Sequence, residues 1–174
     1  CQDITVAVDA NGQAVLDGSS LDAGSTDNCG IAYFEASPAG LTCNDIGFNT
    51  VILTVRDETY DNFANCVATV TVVDDTPPEA ICIPSNTFAL EIDPAGATPT
   101  TLHAADIDNG SFDACGIQVL SVSPAMFTCA DVGAADVTLT VTDQSGLSSS
   151  CTTSISIVNA LIGQACDDGD DCTQ

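Results

Sequence analysis

The chain has no lysine and no tryptophan, and it carries one arginine, Arg56, and one histidine, His103, in 174 residues. Against 25 acidic residues this leaves a net charge of -24. A field of that sign repels phosphate backbones and anionic lipid, so nucleic acid and anionic membrane are excluded as partners, and cations and neutral surfaces remain. Long apolar runs are also missing: no stretch reaches about eighteen apolar residues and no charged-then-apolar leader opens the chain, so neither a membrane span nor a signal peptide is read from it. Residue 1 is Cys rather than Met and the last residues fall inside a new cysteine cluster, so the native polypeptide is expected to continue on at least one side. Glutamate is scarce too, 4 residues against 21 aspartates. Glu suits solvated helix faces whereas Asp suits turns, caps and oxygen-rich cation sites, so little helix is expected.

Catalytic machinery is equally thin. No G-x-S-x-G or P-loop sequence occurs, and the lone histidine precedes Ala104-Ala105, a setting that suits a surface or strand residue. With the cysteines paired, no thiolate nucleophile is left. Carboxylates are so numerous that any two could be cast as the acid and base of a glycosidase, so their number discriminates nothing. The chain is expected not to be an enzyme.

What is present is a duplication. Asp22, Gly24, Ser25, Asp27, Cys29, Gly30 and Ile31 recur at Asp108, Gly110, Ser111, Asp113, Cys115, Gly116 and Ile117. Ser37, Pro38, Thr42, Cys43, Asp45 and Gly47 recur at Ser123, Pro124, Thr128, Cys129, Asp131 and Gly133, always 86 positions on. A fixed period means one supersecondary unit used twice. The 10 cysteines fall in two groups of four and one of two. On modules this small, such usage points to disulfides and an oxidising, extracellular or cell-surface setting.

Each module reads as a series of short strands. Ile4, Val6 and Val8 alternate with polar or small residues and meet the turn Asp9-Ala10-Asn11-Gly12; Phe88, Leu90 and Ile92 do the same before Asp93-Pro94-Ala95-Gly96. Return strands are expected at 13–16 and 100–105, the second at an edge because of Pro99. Strands of about seven residues follow the Asp-rich loops, at 31–37 and 117–123. Val51, Leu53 and Val55, like Val137, Leu139 and Val141, alternate with polar or outward residues and face a core. Last strands are expected from Cys66 to Val73 and Cys151 to Val158. Together these describe an all-β, Greek-key sandwich for each module. The expected boundaries are 1–75 and 82–159 for the modules, 76–81 for a linker stiffened by Pro77-Pro78, and 160–174 for a short acidic, cysteine-containing tail.

The leading cysteine, the D-x-G-S-x-D-x-C-G loop, the S-P-x-x-x-T-C-x-D-[IV]-G run, V-x-L-T-V-x-D and the D-D-T-P-P linker resemble tandem hyalin-repeat (HYR) modules over about residues 1 to 158. That resemblance implies two tandem immunoglobulin-like sandwiches, as found in extracellular adhesive proteins including large secreted bacterial ones, and an interaction role without chemistry. Module one departs from it in the longer, more acidic loop Asp57-Glu58-Thr59-Tyr60-Asp61-Asn62. The run from Cys166 to Cys172 resembles acidic cysteine-rich repeats of secreted bacterial proteins. Four cysteines permit three pairings per module and spacing does not choose among them. The expected set is Cys29–Cys43 with Cys1–Cys66, and Cys115–Cys129 with Cys82–Cys151, a short clamp plus a staple from first strand to last. Chain entropy assigns roughly 3 kcal/mol to the shorter loops and about 4 to the longer.

Calcium (Ca²⁺) is the one cofactor the pattern suggests. Strand parity is expected to bring Asp74 and Asp75 towards Asp106, Asp108, Asp113 and Asp143, and converging carboxylates attract a cation that takes six to eight oxygens. The competing reading is that Asp22, Asp27, Asp108 and Asp113 cap turns through local bonds to backbone. Asn109-Gly110-Ser111 is a glycosylation sequon. The function expected is a structural and adhesive repeat, self-associating head to tail into a fibre, with a glycan or cell-surface ligand. Ile52 and Val67, apolar on an outward face where module two has Thr138 and Thr152, are the expected contact between links. The alternative is a carbohydrate-binding accessory module of a larger secreted enzyme. Without tryptophan, its aromatic platform would have to come from Tyr33, Tyr60 or the 6 phenylalanines.

Overall fold

A computed structural model of the chain describes residues 1–58, 62–92 and 99–159. The chain divides into two compact units, Cys1–Thr76 and Pro77–Gln174. Both are built almost wholly from strands, and they form two tandem immunoglobulin-like sandwiches. The turn at 93–96, residues 59–61 of the loop at 57–62 and the tail with Cys166 and Cys172 lie outside the described residues.

Unit one contains β1 (Ile4–Ala7), β2 (Gln13–Val15), β3 (Ile31–Ser37), β4 (Gly40–Thr42), β5 (Gly47–Asp57) and β6 (Phe63–Val73). Its main sheet has the order β1-β6-β5-β3, and β2 and β4 form a second layer. β5 and β6 are antiparallel neighbours, whereas β1 runs parallel to β6 with Ile4 opposite Val70. Inward residues at alternate positions close the core: Val51, Leu53, Val70 and Val72 from the large sheet, and Ala14, Leu16 and Leu41 from the smaller layer. Each such valine or leucine side chain contributes about 1.5–3 kcal/mol on burial. A 3-10 turn over Gly18–Leu21 plugs Leu21 into this core. It packs so tightly on β3 that a Cβ at Gly18 would stand 2.7 Å from the carbonyl oxygen of Phe34.

Unit two contains β7 (Ala89–Ile92), β8 (Thr100–Thr101), a single helical turn α1 (Ala104–Ile107), β9 (Ile117–Ser123), β10 (Met126–Phe127), β11 (Gly133–Asp143) and β12 (Ser148–Asn159). The main sheet, β7-β12-β11-β9, repeats the order of unit one, again with its first strand parallel to its last. Leu102, Ile107 and Phe127 cover the inner face made by Leu90, Val137, Leu139, Val141, Ile155 and Ile157. The return strand expected over 100–105 ends after Thr101, because Asp106 accepts the N–H of His103 and turns the chain into α1. The last strand of each unit starts about three residues before its cysteine, since β5 and β11 are long enough to pair with Phe63 and Ser148 onward. Part of the expected linker is paired within unit two: Glu79 and Phe112 exchange backbone bonds of 2.8 and 3.1 Å, and the Ser111 hydroxyl receives the Ile81 N–H at 2.9 Å.

Two bridges join first strand region to last, Cys1–Cys66 and Cys82–Cys151, with Cα separations of 5.8 and 5.9 Å. Cys43, Cys115 and Cys129 are also disulfide-bonded. The expected Cys29–Cys43 bridge requires correction, because Cys29 is exposed and carries a free thiol. Asp27 accepts the Cys29 N–H at 2.7 Å and Asn28 Nδ2 lies 3.5 Å from its sulfur. The turn is thus closed by a side-chain-to-backbone bond, and equal cysteine spacing in the two modules has not produced equal pairing.

Candidate functional site

The duplicated loops are aspartate turns. In unit one Asp22 accepts the N–H of Gly24 and Ser25 at 3.0 Å and also the Ser25 hydroxyl. The Ser25 hydroxyl, ahead of the two backbone donors, holds the Asp22 carboxyl below the ordinary value. In unit two Asp108 accepts the N–H of Ser111 at 3.0 Å, and Asp113 accepts those of Cys115 and Gly116 at 2.7 and 3.0 Å. Glycine is required after both cysteines, since Gly30 and Gly116 have φ of 97° and 98°. These aspartates therefore spend oxygens on their own turns, the turn-capping role weighed against calcium.

The other residues expected to bind calcium are placed as follows. Asp74 Oδ1 accepts the Thr76 N–H at 3.2 Å, and Asp75 is exposed. Asp106 serves α1. Asp143, fully buried, accepts the N–H of Ser145 and Leu147 at 2.8 and 2.9 Å through Oδ1, while Oδ2 has no hydrogen-bond partner among the described residues. Within the described part of unit two, no three of Asp106, Asp108, Asp113 and Asp143 bring carboxylate oxygens within 4.8 Å of one another. At the matching place in unit one, Asp57 Oδ2 accepts Asn62 Nδ2 at 2.8 Å. Asn109 is exposed, with its backbone N–H donated to Ile81.

A feature that sequence reasoning missed lies on the solvent face of the unit-one sheet. A register shift between Ile31 and Tyr33 sets Tyr33 opposite Arg56, and Arg56 is opposite Phe63 on the other side. The guanidinium carbon stands 6.0 Å from the Tyr33 ring centre and 5.1 Å from that of Phe63, within cation–π range. Its Nε is buried without a hydrogen-bond partner among the described residues. Four residues along the same strand, Ile52 and Val67 face each other, 43% and 66% exposed. Unit two has Val119, Thr142 and Ser148 in place of the first row and the hydroxyl-bonded pair Thr138 and Thr152, 3.2 Å apart, in place of the second. Beside Arg56 opens a cavity of about 350 Å³, lined among others by Ser25, Thr26, Asp27, Asp57, Asn62 and Phe63. The signal that could have found it is composition: Arg56 is the only arginine in a chain without lysine.

No protein-family model matches the chain, and no curated protein matches it. Among solved structures it is similar to human protocadherin-24 EC1-2, at 15% identity over 90% of this chain and 95% of that one, with a TM-score of 0.41. Human mucin-like protocadherin EC1-2 is similar at 14% identity over 91% and 97%, with a TM-score of 0.39. The protocadherin gamma B7 extracellular cadherin domains 1-4 are matched at 14% identity over 89% of this chain, TM-score 0.37, and the chain covers only 49% of that structure. At these TM-scores the likeness decides nothing, and the fold assignment rests on the sheets described above.

Proposed function

We propose that the chain is a non-enzymatic structural and adhesive repeat of a secreted or cell-surface protein, a link in an extracellular fibre built head to tail. The observation that carries this reading is the apolar cross-strand pair Ile52 and Val67, exposed on the outer face of unit one where unit two keeps threonines. An apolar pair on one copy of a duplicated sheet is what a contact with a neighbouring link requires. The hyalin-repeat resemblance of the sequence motifs and the bridged cysteines, which suit an oxidising setting, fit the same reading. Calcium enters it as the ion that screens a net charge of -24 and stiffens the acidic turns, with the unpartnered Asp143 Oδ2 as one oxygen available to it. Glycosylation at exposed Asn109 belongs to the same proposal.

Sedimentation of the native chain at high concentration with calcium tests the fibre. Self-association is expected, and the double variant Ile52→Thr, Val67→Thr should lose it while melting within about 0.5 kcal/mol of the parent, as surface substitutions do. A native chain that stays monomeric with calcium present removes the proposal.

A further inference from the structure

We infer that the cavity beside Arg56 in unit one is a binding site for a neutral saccharide. The inference stands apart from the fibre reading, because it uses a different row of side chains about 13 Å along β5 from Ile52 and Val67. Its volume, about 350 Å³, lies at the lower end of the roughly 300–1,000 Å³ typical of small-molecule clefts. A saccharide ring presents alternating hydroxyls, which both donate and accept, and a C–H face that packs on an aromatic ring. The lining offers each of these. Arg56 supplies guanidinium donors, held in place by the flanking rings of Tyr33 and Phe63. Asp27, which uses Oδ1 for the Cys29 N–H, and the hydroxyls of Ser25 and Thr26 supply acceptors. The Phe63 ring is 59% exposed and provides the apolar face.

Charge selects the neutral class. One guanidinium stands among the carboxylates of Asp27 and Asp57, on a chain of net charge -24. A uronate, a sulfated sugar or an acidic peptide is repelled from such a surface. An ammonium group drawn to the aspartates meets Arg56. A polyol meets no such penalty and uses both kinds of group through hydrogen bonds. Unit two, with Val119, Thr142 and Ser148 at these positions, lacks the cation and has its exposed ring, Phe112, at the place of Thr26 instead, so it serves as a control for the row of Tyr33, Arg56 and Phe63.

The test is an NMR titration of the whole chain with a panel of neutral oligosaccharides, cello-, manno-, malto- and chito-oligomers, alongside a uronate oligomer. The expected result is shift changes centred on Arg56, Asn62 and Phe63 with at least one neutral oligomer, insensitive to salt. Phe63→Ala should weaken binding roughly three- to tenfold, the worth of one aromatic stacking contact. Arg56→Lys, which keeps the charge and removes the planar fork, should weaken it as well, and Phe112→Ala in unit two should change nothing. The Arg56→Lys arm keeps the question decidable should Phe63→Ala disturb the sheet. Silence towards every neutral oligomer, binding of the uronate alone, or shifts confined to unit two would each overturn the assignment.

Discussion

At one position on two copies of the same sheet, unit one carries Tyr33, Arg56 and Phe63 and unit two carries Val119, Thr142 and Ser148. Farther along β5 and β11, on the inward side, the copies agree: Val51 and Leu53 match Val137 and Leu139, all completely buried. The inward positions are tied to one another by close packing, where a single methylene is felt. The outward ones are not. A duplicated fold therefore separates what holds the sandwich together from what one copy does and the other does not, and the outward differences are where function should be sought.

The largest way to probe that separation is through the long bridges, which span 65 and 69 residues. Replacing Cys1 and Cys66 with serine, or Cys82 and Cys151, should cost the affected unit about 4 kcal/mol each, read as separate shifts in a calorimetric melt. The two losses should match if the copies share one scaffold. Alkylation without reductant, mapped by mass spectrometry, should label Cys29 in both variants and in the parent; an unlabelled Cys29 would return unit one to the same pairing pattern as unit two.

An intermediate effect is expected at the buried aspartates that end β5 and β11. Asn62→Ala removes the Nδ2 bond to Asp57 Oδ2 and should cost unit one about 0.5–1.5 kcal/mol, the net worth of one hydrogen bond. Asp143→Asn keeps the Oδ1 bonds to Ser145 and Leu147 and removes an oxygen that has no partner, so unit two should be as stable or more stable. If Asp143→Asn is instead destabilising only when calcium is present, a cation occupies that oxygen.

The smallest effect is acid sensitivity. The carboxyls of Asp9, Asp17 and Asp22 in unit one and of Asp131 in unit two lie below the ordinary value of 3.8. Backbone N–H of Gln13, the Ser19 hydroxyl, the Ser25 hydroxyl and backbone N–H of Thr128 are the respective first causes. A group depressed on folding stabilises above its unfolded value and loses that contribution as pH falls through its folded one. Below pH 3.8 the unit-one transition should therefore drop faster than that of unit two in melts recorded stepwise with acid. Asp9, Asp17 and Asp131 are exposed and Asp22 is half-buried, so the difference should be slight, and equal slopes would show that the turn bonds do not separate the copies.

Much of the scaffold was legible beforehand because its signals are local. The alternation in Val51 to Val55 and Val137 to Val141, the Asp-rich turns and the fixed repeat required no long-range knowledge. The row of Tyr33, Arg56 and Phe63 was not legible, because those residues meet only through the register of three strands and a bulge between Ile31 and Tyr33. A one-residue slip would have turned the rings to the opposite face. The free Cys29 was hidden for a similar reason: spacing gives the length of a loop and not the direction in which its sulfur points. α1 arose where a strand was expected because Asp106 reaches back to the His103 N–H, a three-residue interaction that alternation does not register.

The pairing of first strand with last has a mechanical consequence. Pulled at residues 1 and 76, unit one cannot pay out its chain, because tension crosses from Cys1 to Cys66 through a covalent bond and leaves along β6. Only the stretch after Cys66 carries the load, a contour of about 35 Å instead of about 260 Å for the whole unit at roughly 3.5 Å per residue. With the bridge cut, the load would reach the hydrogen bonds that β1 shares with the parallel β6, in shear and all at once, not peeled one by one. Unit two repeats the device through Cys82 and Cys151 with β7 parallel to β12. Each unit behaves under force as a short inextensible shackle whose folded contents are bypassed, and cutting the bridge would convert it into a spring that lengthens by most of its sequence.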